Sequence, residues 1–314
     1  MHPAFSVLIF TVTSGAGYGL LAWLGAGQFL GFTQTLTVNQ QIIIGLIAMM
    51  LVSIGLVSST MHLTNPKNAW RSFSRFRTSW LSREAVFAIL LYPVAGLYAA
   101  AIFWQWPGTN ILAGLSMILA LVTLFTTSMI YASLKTIRQW NTPMVPALFI
   151  AYALISGGLL FLALNSFFGT LKPQLQAVVM GLVVITLALK LVYFFWQGKP
   201  QGATIQTATG FSQANVRLLD AGHSAPTFLN REFGYQVAAD QLLRLRIIMT
   251  LVTFIVPLAL VYCVFGGLVR AELLGLAWLI MMAGLLLERW LFFAEARHVA
   301  VSYTHLTLPT TAIV

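Results

Sequence analysis

Cysteine occurs once in this chain, as Cys263 inside an apolar run, so neither a disulfide framework nor a four-cysteine cluster site can be built from it. Histidine is nearly as scarce. His2, His62, His223, His298 and His305 all lie outside the deep parts of the apolar runs, whereas a transmembrane haem needs two facing one cavity. Charge is sparse too: Asp, Glu, Lys and Arg make up 8% of the residues, which excludes an ordinary soluble domain. What fills the chain instead is 59% hydrophobic residues in long unbroken runs. Barrel strands alternate apolar and polar residues, and these runs do not. Helices remain, because lipid requires each backbone polar group to find its partner within the segment.

The expected fold is therefore all-α, a polytopic integral membrane protein with eight transmembrane helices. The spans are expected near Ala4–Gly25, Asn39–Thr60, Glu84–Trp106, Asn110–Leu134, Val145–Phe168, Leu175–Trp196, Ile247–Leu268 and Leu273–Ala294, each long enough for a hydrocarbon core of roughly 30 Å. MHPAFSV lacks the cationic start of a secretory signal, so the first run counts as a span. Pro93 and Pro257 predict kinks, and the Gly15–Gly19 spacing in GAGYG suits close helix packing.

The connections alternate in character. GQFLGFTQTLT, PGT, FGTLKP and VRAE are short and nearly uncharged. The opposite face carries every Lys and Arg except Lys172 and Arg270, if Lys190, inside the sixth run, snorkels there along its stem. By the positive-inside rule, that face and both termini are expected in the cytoplasm. Trp104, Trp106, Trp140, Trp196 and Trp290 fit an interfacial belt. The polar stretch 197–246 is long for a connection and too short for a catalytic domain, so it reads as a docking surface for a soluble partner. Val301–Val314 resembles a translated sequencing adapter, and those residues, His305 among them, are set aside.

Most of the unusual chemistry lies in MHLTNPKNAWRSFSRFRTSWLSRE, residues 61–84. His62 closes the second span and Glu84 opens the third, so both belong to the cationic face. An imidazole beside a carboxylate suits a small membrane molecule that exchanges protons as it is oxidised, such as a quinol. Trp70, Trp80, Phe87 and Tyr92 could wall its ring, with Arg83 adjacent. Plain helix capping suits the same two positions. The remaining loop arginines, Arg71, Arg75 and Arg77, read as orientation signals and partner contacts. Glu288 and Arg289 inside the eighth span are ionisable residues at membrane depth, where a functional role is the default reading; the structural reading, favoured here, is an internal ion pair or snorkelling to the near interface.

The sequence resembles the DMSO-reductase membrane-anchor family, from HPAFSVLIFTVTSGAGYGLL to ERWLFFAEARHV. The sharpest agreement is STMHLTNPKNAWRSFSRFRTSWLSREA, where His62 and Glu84 fall on the family's quinol-site histidine and glutamate; TFLNREFGYQVA is similar to its long sixth-to-seventh loop. The resemblance implies a quinone-reactive anchor, using menaquinone or ubiquinone, beside a separate iron–sulfur subunit and a molybdopterin catalytic subunit. The histidine and cysteine pattern itself leads to the expectation of no haem and no iron–sulfur cluster in this chain. Docking would involve Arg71, Arg75, Arg77, Arg217, Arg231 and Glu232. The charge bias favours a cytoplasm-facing branch similar to the anchor of quinone-linked sulfite dehydrogenases. A secondary transporter and a purely structural tether are the competing readings.

Overall fold

A computed structural model of the chain describes residues 5–61, 70, 73–197 and 239–296. Among them stand eight helices long and apolar enough to cross a bilayer: α1 Phe5–Leu30, α2 Val38–Thr60, α3 Trp80–Phe103, α4 Thr109–Ala132, α5 Met144–Phe167, α6 Pro173–Gln197, α7 Gln241–Phe265 and α8 Leu273–Ala294. The fold is all-α, and the chain is a multi-pass membrane protein.

α1 is the most buried helix and packs against α2, α4 and α5. Small residues make that possible, because without side chains the backbones approach directly. Gly17 faces the Ala48 carbonyl and Val52 of α2, Gly19 faces Ala153 and Gly157 of α5, and Gly25 faces the Ala113 carbonyl of α4. The expected Gly15–Gly19 pair is thus split. Gly19 sits in the seam with α5, while nothing lies within 4 Å of a Cβ built on Gly15.

The halves α1–α4 and α5–α8 repeat one packing pattern. The first helix of each packs on the second and fourth, and the third pairs with the fourth. α2 buries Ile44, Ala48, Leu51, Gly55 and Ser58, and α6 buries Val179, Val183, Thr186, Lys190 and Tyr193 at the same intervals. The first helix of each half ends on a left-handed glycine, Gly31 (φ 75°) or Gly169 (φ 70°). The third ends similarly, on Gln105 (φ 53°) or Gly267 (φ 69°). The seam between halves is closed by Gly19 against Gly157 and by Trp23 stacked on Phe161 with ring centroids 6.4 Å apart. No internal repeat stands out in the sequence, because matching places hold unlike residues, Gly55 and Lys190 among them.

Helix ends follow local signals. Thr37 and Gln40 form a reciprocal capping box at α2. Ser79 caps α3, accepting from Ser82 N at 3.4 Å, so α3 begins before Glu84, which lies more than a turn inside it. α1 runs past Gly25 to Leu30 because Gly25 is a packing residue, not a stop. Among the described residues two π turns interrupt the ladder, at Phe10–Ser14 in α1 and Leu251–Ile255 in α7, the second just before Pro257. Both pack against α8. Pro93 stays inside α3. Trp104 and Trp106 are exposed and stack at 5.5 Å, as a belt would have them. Trp140 departs from that expectation. It is buried, donates Nε1 to the Phe292 carbonyl at 3.0 Å and joins a cluster with Tyr131 and Phe293.

Candidate functional site

α3 buries Glu84, Ala88, Leu91, Ala95, Tyr98 and Ile102, alternating steps of four and three along one face. Glu84 is the first member of that core stripe, which is why a carboxylate one turn below the helix start is only 5% exposed. Its partner comes from α4: Thr127 donates its hydroxyl to Glu84 Oε1 at 2.5 Å. The Thr127 oxygen also lies 2.9 Å from the Thr123 carbonyl. A hydroxyl has one proton and two lone pairs. Thr127 can therefore donate to an ionised Glu84, or accept from a protonated one while turning its own proton to Thr123. Both states of the carboxyl are served without moving a heavy atom.

Tyr18 from α1 and Tyr131 from α4 lie within electrostatic range of Glu84, and Tyr92 within range of Tyr18. Tyr18 is fully buried. Tyr92 lies on the outer side, 39% exposed, its hydroxyl 2.8 Å from Ser53 Oγ of α2. Aromatic edges border the region, with Trp80 against Phe125 at 6.1 Å and Phe76 against Phe87 at 6.0 Å. Trp70 is largely exposed. Arg83 folds back onto the loop, its guanidinium 4.1 Å from the Trp80 ring centroid. It donates to the Phe76 carbonyl at 3.0 Å and the Arg77 carbonyl at 2.8 Å. Arg83 thus ties down the entry to α3, and Arg75 and Arg77 are exposed beside it. His62, Arg71, Arg217, Arg231 and Glu232 lie outside the described residues.

A second polar cluster occupies the α5–α8 half. Lys190 of α6 reaches Glu288 of α8 at 2.6 Å, and Arg289 Nε lies 2.9 Å from the other Glu288 oxygen. All three are buried. Lys190 does not snorkel: Glu288 sits at its own depth, and pairing there spares the ammonium an unmet desolvation cost. Of the two arrangements expected for Glu288 and Arg289, the internal ion pair is the one formed. Arg289 also lies 3.9 Å from the Phe149 ring centroid. Nearer the helix ends Arg246 makes a two-pronged pair with Glu295, at 2.9 and 2.7 Å, and reaches Gln197 at 3.1 Å.

Sequence reading singled out Glu84 but not Thr127, Tyr18 or the Lys190 pairing. The consecutive Thr126, Thr127 and Ser128 in α4 were the available signal, since hydroxyls at span depth have to find partners. Among the described residues no three His, Cys, Asp or Glu side chains converge as metal ligands would.

Fold and site define a polytopic membrane protein with one carboxylate buried near an end of its bundle and a charged cluster in its other half. The chain belongs to the DMSO reductase anchor subunit (DmsC) family, whose model matches residues 1–294. It is 32% identical to a sulfite dehydrogenase subunit of Allochromatium vinosum, over 95% of this chain and 97% of that one. It is 26% identical to the anaerobic dimethyl sulfoxide reductase chain YnfH of Escherichia coli, over 50% of this chain and 56% of that one.

Proposed function

We propose that this chain is the quinone-reactive anchor of a molybdenum oxidoreductase complex, exchanging electrons between the membrane quinone pool and a partner iron–sulfur subunit. The observation that carries this reading is Glu84: a buried carboxylate in the family's site stretch, held by a hydroxyl that suits both its protonation states. Conversion between quinol and quinone moves two electrons and two protons. The electrons pass to or from the partner's cluster. Glu84 exchanges one proton with a quinone oxygen, and His62 is the group for the other. A quinone headgroup, menaquinone or ubiquinone, fits a carboxylate bordered by Trp80 and Phe125 at the bundle's outer wall.

The near end-to-end match with a sulfite dehydrogenase subunit, against a half-length match with YnfH, supports the sulfite-oxidising type. In that type electrons enter the pool and Glu84 delivers its proton to quinone. Arg75 and Arg77, with Arg71, Arg217, Arg231 and Glu232, form the docking surface for the partner. The positive-inside rule puts that face in the cytoplasm of a bacterial inner membrane. Repeated halves are also found in secondary transporters, whose substrate sites lie at the seam near mid-membrane. Here Gly19, Gly157, Trp23 and Phe161 close part of that seam.

The test is Glu84→Gln in the co-expressed complex. The complex assembles, while quinone-coupled turnover falls by roughly a hundredfold, the scale of a lost general acid or base. Unchanged turnover would overturn the site. Normal turnover with an unrelated anchor in its place would leave only a tether.

A further inference from the structure

Among the described residues, four charged side chains are buried within the spans: Glu84, Lys190, Glu288 and Arg289. The last three form one ion-paired group with an excess of one cation. A net charge in a low-dielectric interior is costly unless an opposite charge or oriented dipoles meet it. Arg246 and Glu295 balance each other and supply nothing. Glu84 is the remaining buried anion, and the four groups sum to zero when it is ionised.

The structure also provides the connection. Among the described residues Arg289 Nη1 is buried without a hydrogen-bond partner. Arg289 lines a cavity of about 20 Å³ shared with Thr127, Tyr152, Ser156 and, from the π turn of α1, Thr11 and Ser14. That is room for one water, and the polar lining can hold it. The π turn matters here, because its extra residue swings Thr11 and Ser14 out of regular helical register. Thr127 belongs to both places: it lines the cavity and holds Glu84. Tyr131 lies within electrostatic range of both Glu84 and Arg289.

We propose that this cavity holds an ordered water joining Arg289 Nη1 to Thr127, and that Arg289 is through it a positioning residue for Glu84. The water relays the Arg289 dipole to the Thr127 hydroxyl and orients it for the carboxylate. For its kinetic consequence the inference rests on the quinone reading. The water site stands without it.

The experiment uses the full-length chain in lipid nanodiscs and the assembled complex, with Arg289→Gln, Arg289→Lys and Glu84→Gln. Arg289→Gln leaves the Lys190–Glu288 pair intact and neutral, so the fold is kept. Acid-minus-neutral infrared difference spectra should show a water O–H band, recognised by its shift in ¹⁸O-water. That band is expected in the wild type and in Arg289→Lys, and absent in Arg289→Gln. In the complex, Arg289→Gln should lower kcat for quinone-coupled turnover about tenfold with KM unchanged, and Arg289→Lys should restore most of it. Retention of the band, or of full kcat, in Arg289→Gln overturns the proposal even where Glu84→Gln abolishes turnover. Full turnover in Glu84→Gln overturns the quinone assignment and with it the kinetic role of Arg289, and the band alone then decides the water site.

Discussion

The Thr127 hydroxyl crosses the α3–α4 interface to Glu84 Oε1 at 2.5 Å while resting 2.9 Å from the Thr123 carbonyl of its own helix. That geometry makes a plain turn of α4 the partner of a buried carboxyl, whichever protonation state the carboxyl holds. Thr127→Val keeps the shape and removes the hydroxyl, leaving a buried carboxyl without this partner. Hydrogen bonds to charged groups contribute about 1.5–3 kcal/mol, so quinone-coupled turnover should fall by roughly 10- to 100-fold. Thr127→Ser should stay within about threefold of wild type. Steady-state assays of the complex check both, and a fully active Thr127→Val would remove the hydroxyl from the mechanism.

The charged cluster should respond asymmetrically. Glu288→Gln strands Lys190 and Arg289 together in the interior, whereas Lys190→Met leaves Glu288 paired with Arg289. Removing one partner of a buried ion pair costs about 3–5 kcal/mol. Thermal unfolding in detergent should therefore show Glu288→Gln as the more damaged variant. Equal losses would mean that the two cations do not share Glu288.

Glycine positions divide by what surrounds them. An added Cβ at Gly19 would meet the Ala153 backbone, whereas at Gly96 it would meet nothing within 4 Å. Gly19→Ala should destabilise by about 1–3 kcal/mol, the cost of overpacking. Gly96→Ala should be neutral or stabilise by up to about 1 kcal/mol through helix propensity. Melting temperatures of the two variants, measured side by side, decide this.

Orientation is accessible to reporter fusions. A reporter after Arg297 should read cytoplasmic and one near Thr35 periplasmic. The reverse result would mean that the cation bias does not set the topology, and would put the docking face with an exported enzyme.

Much of the architecture was legible because lipid leaves so few choices. Continuous apolar runs had to be helices, and the spans were legible to within about a turn at most ends. The exceptions are instructive. α1 overran its expected end because Gly25 packs against α4 instead of stopping the helix. Trp140 is buried instead of exposed because the Phe292 carbonyl takes its indole proton. Glu84 stood out as an isolated acid between aromatic residues, but the sequence had no means of showing that α4 would supply Thr127.

By itself the sequence determined the all-α membrane class, the cationic face and the place of Glu84 at one end of a span, since these follow from local composition and periodicity. Only the tertiary structure decided what the buried charges do. Lys190 and Glu288 are 98 positions apart, Glu84 and Thr127 are 43 apart, and no local pattern says which helix faces will meet. Close glycine seams bring those faces together, and a low-dielectric interior then requires each charge brought there to find its partner.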